Sequence, residues 1–562
     1  MELILHIAVM VCIYAVLATS FNLLIGFAGL FAFGHAVFYA LGAYTTAIVA
    51  MRLHLPFPLP LLISIVITGI VGLAVALPAL RISGIYLVIT TLALQVIAID
   101  IIINWTDLTG GPTGLSGVPP ITLFGKTLSG PALFLPVAII AALLCYLVAR
   151  HTGESPFGRA LRAMRANESA AASVGKNIFY MKVSVFGVSA ALASVAGSLF
   201  AYYLSYVGAD SFQVSETVLI LSMVVIGGTG NLLGSVIGAA ILVLLPEVLA
   251  FVDLPEGIAG QLRLLTYGCM LVLFLVFRPE GLLRESRRSG RRLSLQADPA
   301  ATQVTETEAI AGDIVLEGRG LQKRFGGITA ISALDIALRS GQITGLVGPN
   351  GAGKTTAFNV LTGFLPTDGG VIEYKGQRLR QRYPHTLVRA GIARSFQDLR
   401  LFAGMSVLEN VLVALPRQRG DNLLTLFLRP LLVRREDVGN ARKAMAILDF
   451  IGLRDRAFDL AEDLSYAEEK LLVVARLVAT EAEVLLFDEP LSGLDATAMQ
   501  KIIGLLRQLA RGNKAICIIE HNLEAIRTAC DQLIYLDEGR ALATGDPEAL
   551  MRDPDLVRRY FQ

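Results

Sequence analysis

Gly348-Pro349-Asn350-Gly351-Ala352-Gly353-Lys354-Thr355 sets small residues, one amine and one hydroxyl at the spacing G-x-x-x-x-G-K-T. Residues of these types in this order suit a chain of phosphates. The run Ile343–Val347 before them is short, apolar and β-prone, and Thr355–Thr362 after them reads as helix, which is the strand–loop–helix context the motif needs. Backbone N–H groups of Gly351 to Thr355 would then cradle phosphate oxygens at a helix N-terminus. Lys354 would reach the β- and γ-phosphates, and the Thr355 hydroxyl would ligate Mg²⁺. Gly348, Asn350, Gly351, Gly353, Lys354, Thr355 and Thr356 are the nucleotide-contact candidates. Further along, Val484-Leu485-Leu486-Phe487-Asp488-Glu489 is a buried-strand run that ends in two carboxylates. Asp488 suits a Mg²⁺ shell, and Glu489 suits polarising an attacking water. His521 closes another β-like run, Ala515–Glu520, and puts a ring donor near the γ-phosphate. Together these residues predict hydrolysis of ATP with Mg²⁺.

The elements that must hold this chemistry occupy less than half of the chain. The protein has 562 residues, too many for one ordinary domain. Hydrophobic residues make up 54% of it, above the usual share for a soluble protein, so part of it should lie in lipid. The apolar excess sits before about Leu283. A helix needs about 20 apolar residues to cross the hydrocarbon. Candidate spans are Leu3–Ile25, Leu30–Met51, Leu59–Leu80, Ile85–Trp105, Ala132–Ala149, Tyr180–Tyr206, Val214–Gly228, Ser235–Val252 and Leu262–Phe277. The expected count is therefore about nine, and the stretch around Gly26, Gly29 and Gly34 is the least regular. The first span carries Glu2 and no basic residue ahead of its apolar core, so it reads as a retained span rather than a cleaved signal. The expected organisation is a membrane domain over 1–283, a linker over 284–312 and an α/β ATPase domain over 313–562.

Basic loops orient the spans. Arg150, Arg159, Arg162, Arg165, Lys176 and Lys182 form one cluster. Arg278, Arg284, Arg287, Arg288, Arg291 and Arg292 form another, an even number of spans later. Both belong in the cytoplasm, where ATP is, which leaves the N-terminus and the Asp107–Gly130 loop outside; Arg52 is then a mild exception. Gly234 and Gly238, and the series Gly187, Ala191, Ser194 and Gly197, suit close helix packing. Asn22, His35, Gln95, Asp100 and Glu247 are polar residues in apolar runs. Such residues should face protein or water. For Gln95 and His35 an interhelical hydrogen bond competes with a place on a polar route, and for Asp100 and Glu247 an interfacial position competes.

Arg159, Arg162 and Arg165 recur at helical spacing in Pro156–Asn167, which predicts a short amphipathic helix; because an ATPase is present it suits docking that domain, with a helix lying on lipid headgroups as the alternative. The stretch 284–312 is polar and aperiodic and reads as a flexible linker. A net charge of +2 gives no reason to expect a nucleic-acid partner, and five scattered cysteines give neither a disulfide framework nor a zinc site.

Several further segments carry a family resemblance. Phe396-Gln397-Asp398 resembles the Q-loop of ATP-binding cassette (ABC) proteins, Pro490-Leu491-Ser492-Gly493-Leu494-Asp495 the D-loop, and His521 the switch histidine. Phe325 is placed like the aromatic that stacks on adenine. The resemblance implies a role for Gln397 at the metal and in catalysis, and for Asp495 at the nucleotide. In the membrane half, Leu41-Gly42-Ala43-Tyr44, Thr106–Gly114, Val225–Gly230 and Phe277–Leu282 are similar to permeases of the branched-chain amino-acid system. The ATPase half, with its closing Gly545-Asp546-Pro547-Glu548, resembles that system's ATP-binding subunit. The chain thus resembles a fusion of two subunits that are usually separate. The implied partners are a second permease, a second ATPase and a periplasmic solute-binding protein, at a bacterial inner membrane.

One segment departs from the family. Where ABC proteins carry a signature near Leu-Ser-Gly-Gly-Gln, this chain has Leu464-Ser465-Tyr466-Ala467-Glu468. In the family this segment meets the γ-phosphate held by the other ATPase of a dimer. Ala467 adds a Cβ and Glu468 an anion there, and both should weaken ATP capture unless Ala467 keeps its N–H available and Glu468 turns away. A heteromeric pair, in which a partner's signature completes this chain's own site, is expected. Solutes other than branched-chain amino acids, such as urea, amides or aromatic acids, fit the same resemblance. An exporter or a membrane-tethered regulatory ATPase fits it less well, because the loops are short and Glu489 and His521 are both present.

Overall fold

Apolar residues cover every face of the helices in the first half, whereas the second half alternates buried strands with amphipathic helices. The structure, a computed structural model, describes residues 1–79, 84–123, 126–250, 256–278, 280–285, 312–380 and 383–552. The linker core 286–311 with Arg287, Arg288, Arg291 and Arg292, the span ends at Leu80 and 251–252, and Pro279 lie outside the described residues. The chain divides into two units, one comprising Met1–Arg165 and Phe179–Arg288, the other Ala166–Ile178 and Ser289–Gln562.

In the first unit, helices occupy Glu2–Asn22, His35–Arg52, Leu59–Ala79, Ile85–Asn104, Pro131–Gly153, Ile178–Leu204, Val214–Gly227, Leu232–Ala250 and Glu256–Phe277. Among the described residues, six segments are long and apolar enough to cross a membrane: Glu2–Phe27, Leu59–Pro78, Ile85–Asn104, Pro131–Gly153, Ile178–Leu204 and Ala209–Gly227; Leu232–Pro246 is a shorter apolar helix. Residues 30–34, expected at the head of the second span, are not helical. The first helix continues through a π-helical turn, Leu23–Phe27, and the next begins at His35.

Small residues let the helices meet closely. A Cβ at Gly238 would lie 2.1 Å from the Met223 carbonyl oxygen, so the helices Val214–Gly227 and Leu232–Ala250 touch backbone to side-chain-free backbone. Hydrogen bonds between small polar side chains add to the packing: Thr46 to Ser198 at 2.6 Å, and Ser189 to the Ser20 carbonyl at 2.6 Å. Gln95 accepts from Thr217 (2.9 Å) and donates to the Phe212 carbonyl (3.1 Å), which is the interhelical role. His35 bonds Ser20 at 2.8 Å, and Asn22 ties the Gly230 N–H to Ser235. Asp100 is exposed.

The amphipathic helix forms over Pro156–Ala166, and its Arg159 is 8% exposed. Arg165 pairs with Glu285 at 2.7 Å and also donates to the Gly26 carbonyl. This helix belongs to the first unit as far as Arg165. The segment that groups with the ATPase is the next one, Ala166–Ile178, with a short helix Glu168–Ser173 capped by Asn167. Within that second unit, Lys176 Nζ lies 2.6 Å from Asp421.

The second unit is built on two sheets. Strands β1 (Ile314–Phe325), β2 (Ile328–Arg339), β4 (Gly369–Tyr374) and β5 (Gln377–Arg378) form an antiparallel sheet in the order β2-β1-β4-β5. Strands β3 (Ile343–Val347), β6 (Ile392–Arg394), β7 (Val484–Asp488), β8 (Ala515–Ile519), β9 (Gln532–Asp537) and β10 (Arg540–Gly545) form the central sheet, in the order β6-β7-β8-β3-β9-β10. All neighbours in it are parallel except the β9–β10 edge pair. Strands β3, β7 and β8 are buried at every residue, which is why they read as unbroken apolar runs. Phe358, Leu361, Val484, Leu486, Cys517 and Ile519 are among the residues of the core between the layers.

Candidate nucleotide-hydrolysis site

The strand order brings three distant segments of sequence to one sheet edge. β7, β8 and β3 are parallel neighbours, with Asp488 opposite Ile519 and Ile519 opposite Leu346. Their carboxyl ends therefore align. Three segments meet at that edge: the phosphate loop after Val347, Glu489 after Asp488, and His521 after β8. Open α/β sheets place ligands at such an edge.

In the phosphate loop, Lys354 opens the helix Lys354–Leu361, and Thr355 and Thr356 stand in its first turn. Gly353 has φ +99°, and a Cβ there would lie 2.4 Å from the Ala330 carbonyl of β2, so glycine is required. The hairpin that ends β1 at Phe325, 45% exposed, thus runs on from a strand backing the loop. Lys354 is 7% exposed, and its ammonium donates to the carbonyls of Gly348 (2.6 Å) and Pro349 (2.9 Å). Burial lowers its pKa, and Glu489 and Asp488 oppose that shift. An amine held over loop carbonyls, with open glycine backbone at Gly351, is poised for a polyphosphate.

Glu489 is the hub of the site. Its Oε1 is 3.1 Å from Gln397 Nε2 and 3.3 Å from His521 Nε2. The structure thus joins the three candidate catalytic residues on one carboxylate. Gln397 donates through Nε2, which leaves its Oε1 for a metal. Asp488 is 3% exposed, and burial raises its pKa against the attraction of Arg394, 3.3 Å away. The donor set of Thr355 hydroxyl, Gln397 amide oxygen and Asp488 carboxylate is made of hard oxygens and fits Mg²⁺.

The signature segment opens the helix Tyr466–Ala479. Ser465 caps it, and Glu468 closes a capping box: the Glu468 carboxylate accepts from the Ser465 N–H (2.9 Å) and from its hydroxyl (2.8 Å). These bonds, the backbone one first, hold the Glu468 pKa below the usual carboxylate range. Arg456 stands 3.5 Å from its other oxygen. Ala467 lies inside the helix, a conformation alanine adopts without strain. Asp495 caps the helix Ala496–Arg511 through the Ala498 N–H at 2.8 Å, which places the D-loop at another helix start.

Three residues beside the site are absent from the sequence-derived set. Arg394 is 3% exposed, faces Asp488, and packs over the Phe396 ring at 4.6 Å; burial lowers its pKa to about 10. Lys470 donates to the Glu489 carbonyl at 2.6 Å, and Glu520 accepts from the Leu491 N–H at 2.6 Å. A charge closing an apolar run, as Arg394 and Glu520 do, is the one signal that could have marked them.

Comparison with known proteins agrees with both halves. The profile of the family described as "Branched-chain amino acid transport system / permease component" matches residues 3–275, and that of "ABC transporter" matches 331–492. The high-affinity branched-chain amino acid transport ATP-binding protein LivG of Salmonella typhimurium is 36% identical over 248 residues, 44% of this chain and 97% of LivG. The corresponding BraF of Pseudomonas aeruginosa is 33% identical over the same length, covering 97% of BraF. The permease protein LivM of Salmonella typhimurium is 32% identical over 315 residues, 52% of this chain and 72% of LivM. Among solved structures, a nucleotide-free ATP-binding cassette from an ABC transporter is 29% identical, covers 44% of this chain and 99% of its own, and has a TM-score of 0.39. The chain is an ATP-hydrolysing, multi-pass membrane protein with a cytoplasmic ATPase domain, and it belongs to the branched-chain amino-acid family of ABC transporters, with permease and ATP-binding parts joined in one polypeptide.

Proposed function

We propose that this chain imports branched-chain amino acids or closely related small solutes across a bacterial inner membrane, as the fused permease and ATPase subunit of an ABC importer. The observation that supports this most directly is that one polypeptide matches LivM in its membrane half and LivG in its ATPase half. About nine spans over 1–283 form the permease, and 313–562 the ATPase. Gly348, Asn350, Gly351, Gly353, Lys354, Thr355 and Thr356 bind the ATP phosphates, and Phe325 stacks on the base. Thr355, Gln397 and Asp488 would hold Mg²⁺, which would supply positive charge against the phosphate oxygens. Glu489 polarises the attacking water, His521 donates toward the γ-phosphate, and Gln397 donates to the Glu489 carboxylate and so holds it in place. Ser465, Ala467 and Asp495 face the ATP of a second ATPase subunit. A second permease and a periplasmic solute-binding protein complete the assembly.

Uptake of labelled leucine, urea and a benzoate-like acid by a strain lacking only this chain tests the reading. Loss of leucine uptake, restored by the wild-type chain and not by Lys354→Ala, is expected. Unchanged leucine uptake with loss of urea or acid uptake would move the substrate class, and solute efflux in place of uptake would reverse the direction.

A further inference from the structure

Glu489 holds a backbone conformation that its neighbours must impose. Its φ is +51°, in the left-handed region where a non-glycine residue is strained. Three contacts pin the turn it begins. Its N–H donates to the Ile519 carbonyl at 2.9 Å, which extends the β7–β8 ladder. Its carbonyl accepts from Lys470 Nζ at 2.6 Å, and two residues on the Leu491 N–H donates to Glu520 Oε1 at 2.6 Å. The last two use side chains that are nearly inaccessible, Lys470 at 4% and Glu520 at 2%. Burying an ammonium to bind a neutral carbonyl is costly, and burial indeed lowers the Lys470 pKa, with Glu520, Glu489 and Asp488 opposing. Packing alone would be served as well by an apolar side chain.

Lys470 belongs to the helix Tyr466–Ala479, which Ser465 caps. On its way to Glu489 the ammonium passes 5.5 Å from the Tyr466 ring, and the Tyr466 hydroxyl donates to the Ser492 carbonyl at 3.3 Å. The first turns of this helix are thus bonded at two points to the segment Glu489–Ser492. We propose that Lys470 is a positioning residue for ATP hydrolysis. Its ammonium fixes the peptide that carries Glu489, keeps the carboxylate where Gln397 and His521 reach it, and ties it to the signature helix. The proposal rests on Glu489 being the base. If the signature helix also meets ATP held by a second subunit, Lys470 passes the occupancy of that site to this chain's own base.

The test is Mg-ATP turnover by the membrane assembly purified through a tag on the full-length chain. Lys470→Met is expected to lower kcat by about 10- to 100-fold, because a displaced catalytic group loses rate steeply. The KM for ATP should stay within about twofold, because the phosphate loop is untouched. Lys470→Arg, which can reach the same carbonyl, should recover most of kcat. In a Glu489→Gln background, Lys470→Met should add little further loss, because both changes act on one group. Wild-type kcat in Lys470→Met overturns the proposal, as does failure of Lys470→Arg to recover the rate or a full further loss in the Glu489→Gln background. Should Lys470→Met not yield folded protein, Lys470→Gln, which is shorter and neutral, must fall between the Met and Arg variants, and wild-type kcat there overturns the proposal equally. Glu489→Gln alone separates the two readings. A wild-type rate in that variant removes the base assignment and the proposal with it, whereas a dead Glu489→Gln beside a fully active Lys470→Met removes the Lys470 proposal alone.

Discussion

At the signature segment, an anion occupies the donors that the proposed function assigns to a second subunit's phosphate. Glu468 takes both the N–H and the hydroxyl of Ser465, at the N-terminus of a helix whose dipole favours negative charge. Glu468→Gln keeps an oxygen to accept from the Ser465 N–H and removes the charge. The expected result is an ATP KM lower by about two- to fivefold in the purified assembly, the size of a first-turn charge effect; an unchanged or higher KM would show that the carboxylate does not compete. Ala467→Gly should do little, since Ala467 is already helical. Glu520 gives a test in pH. Burial raises its pKa to about 7, well above the value of an unfolded glutamate. The folded chain therefore binds this proton more readily than the unfolded one, so the cost of the ionised group is full above pH 7 and relieved as pH falls through 7. Glu520→Gln abolishes that cost, so its melting temperature relative to wild type should be more favourable at pH 8 than at pH 6, by about 1 kcal/mol in stability. The same difference at both pH values would place Glu520 ionised throughout. The residues of the phosphate loop were readable because eight consecutive positions carry the chemistry, and Glu489 and His521 because each ends an apolar strand. The contacts that Lys470 and Glu520 make were not, since their partners lie 19 and 29 residues away and meet them only in the folded domain.

Among the elements, the membrane helices were legible where apolar length alone decides, and least so where glycine and a π-turn interrupt it. Leu30–Met51 read as one apolar span, but its first five residues leave the helix before His35. The basic spacing of Arg159, Arg162 and Arg165 implied the helix that forms over Pro156–Ala166, whereas the docking role expected of it could not come from that spacing, because spacing on one helix carries no information about its neighbour. The segment Ala166–Ile178 groups with the ATPase, and its Lys176, with a side chain 5% exposed, pairs with Asp421 at 2.6 Å. Replacing Lys176 leaves the Asp421 side chain, 25% exposed, without its cation, and an acid in its place adds repulsion, at a cost of about 1 to 2 kcal/mol. Lys176→Asp should therefore lower solute uptake by several-fold while leaving basal ATPase within about twofold, and the double exchange with Asp421→Lys should restore uptake. Uptake and ATPase falling together, with no recovery in the double exchange, would mark the pair as part of the ATPase fold rather than of its coupling to transport.

For the molecule as a whole, the question is what the fusion contributes. LivM and LivG are separate proteins, each matching one half of this chain, so those relatives lack the covalent join. Joining two parts in one polypeptide raises their effective concentration, which reaches the millimolar range for short linkers. That gain matters when subunits are scarce and disappears when they are abundant. Splitting the chain within 286–311 and producing both parts together should therefore preserve uptake at high expression and reduce it at low expression. Lys354→Ala should abolish uptake in either form, because solute movement draws on the phosphate site and not on the peptide bond between the halves. Three measurements decide it: uptake by the intact chain, by the split pair across an expression series, and by each with Lys354→Ala. If the split pair failed at every expression level although both parts reached the membrane, the segment 286–311 would have to transmit force. If Lys354→Ala left accumulation intact, hydrolysis would not drive the permease.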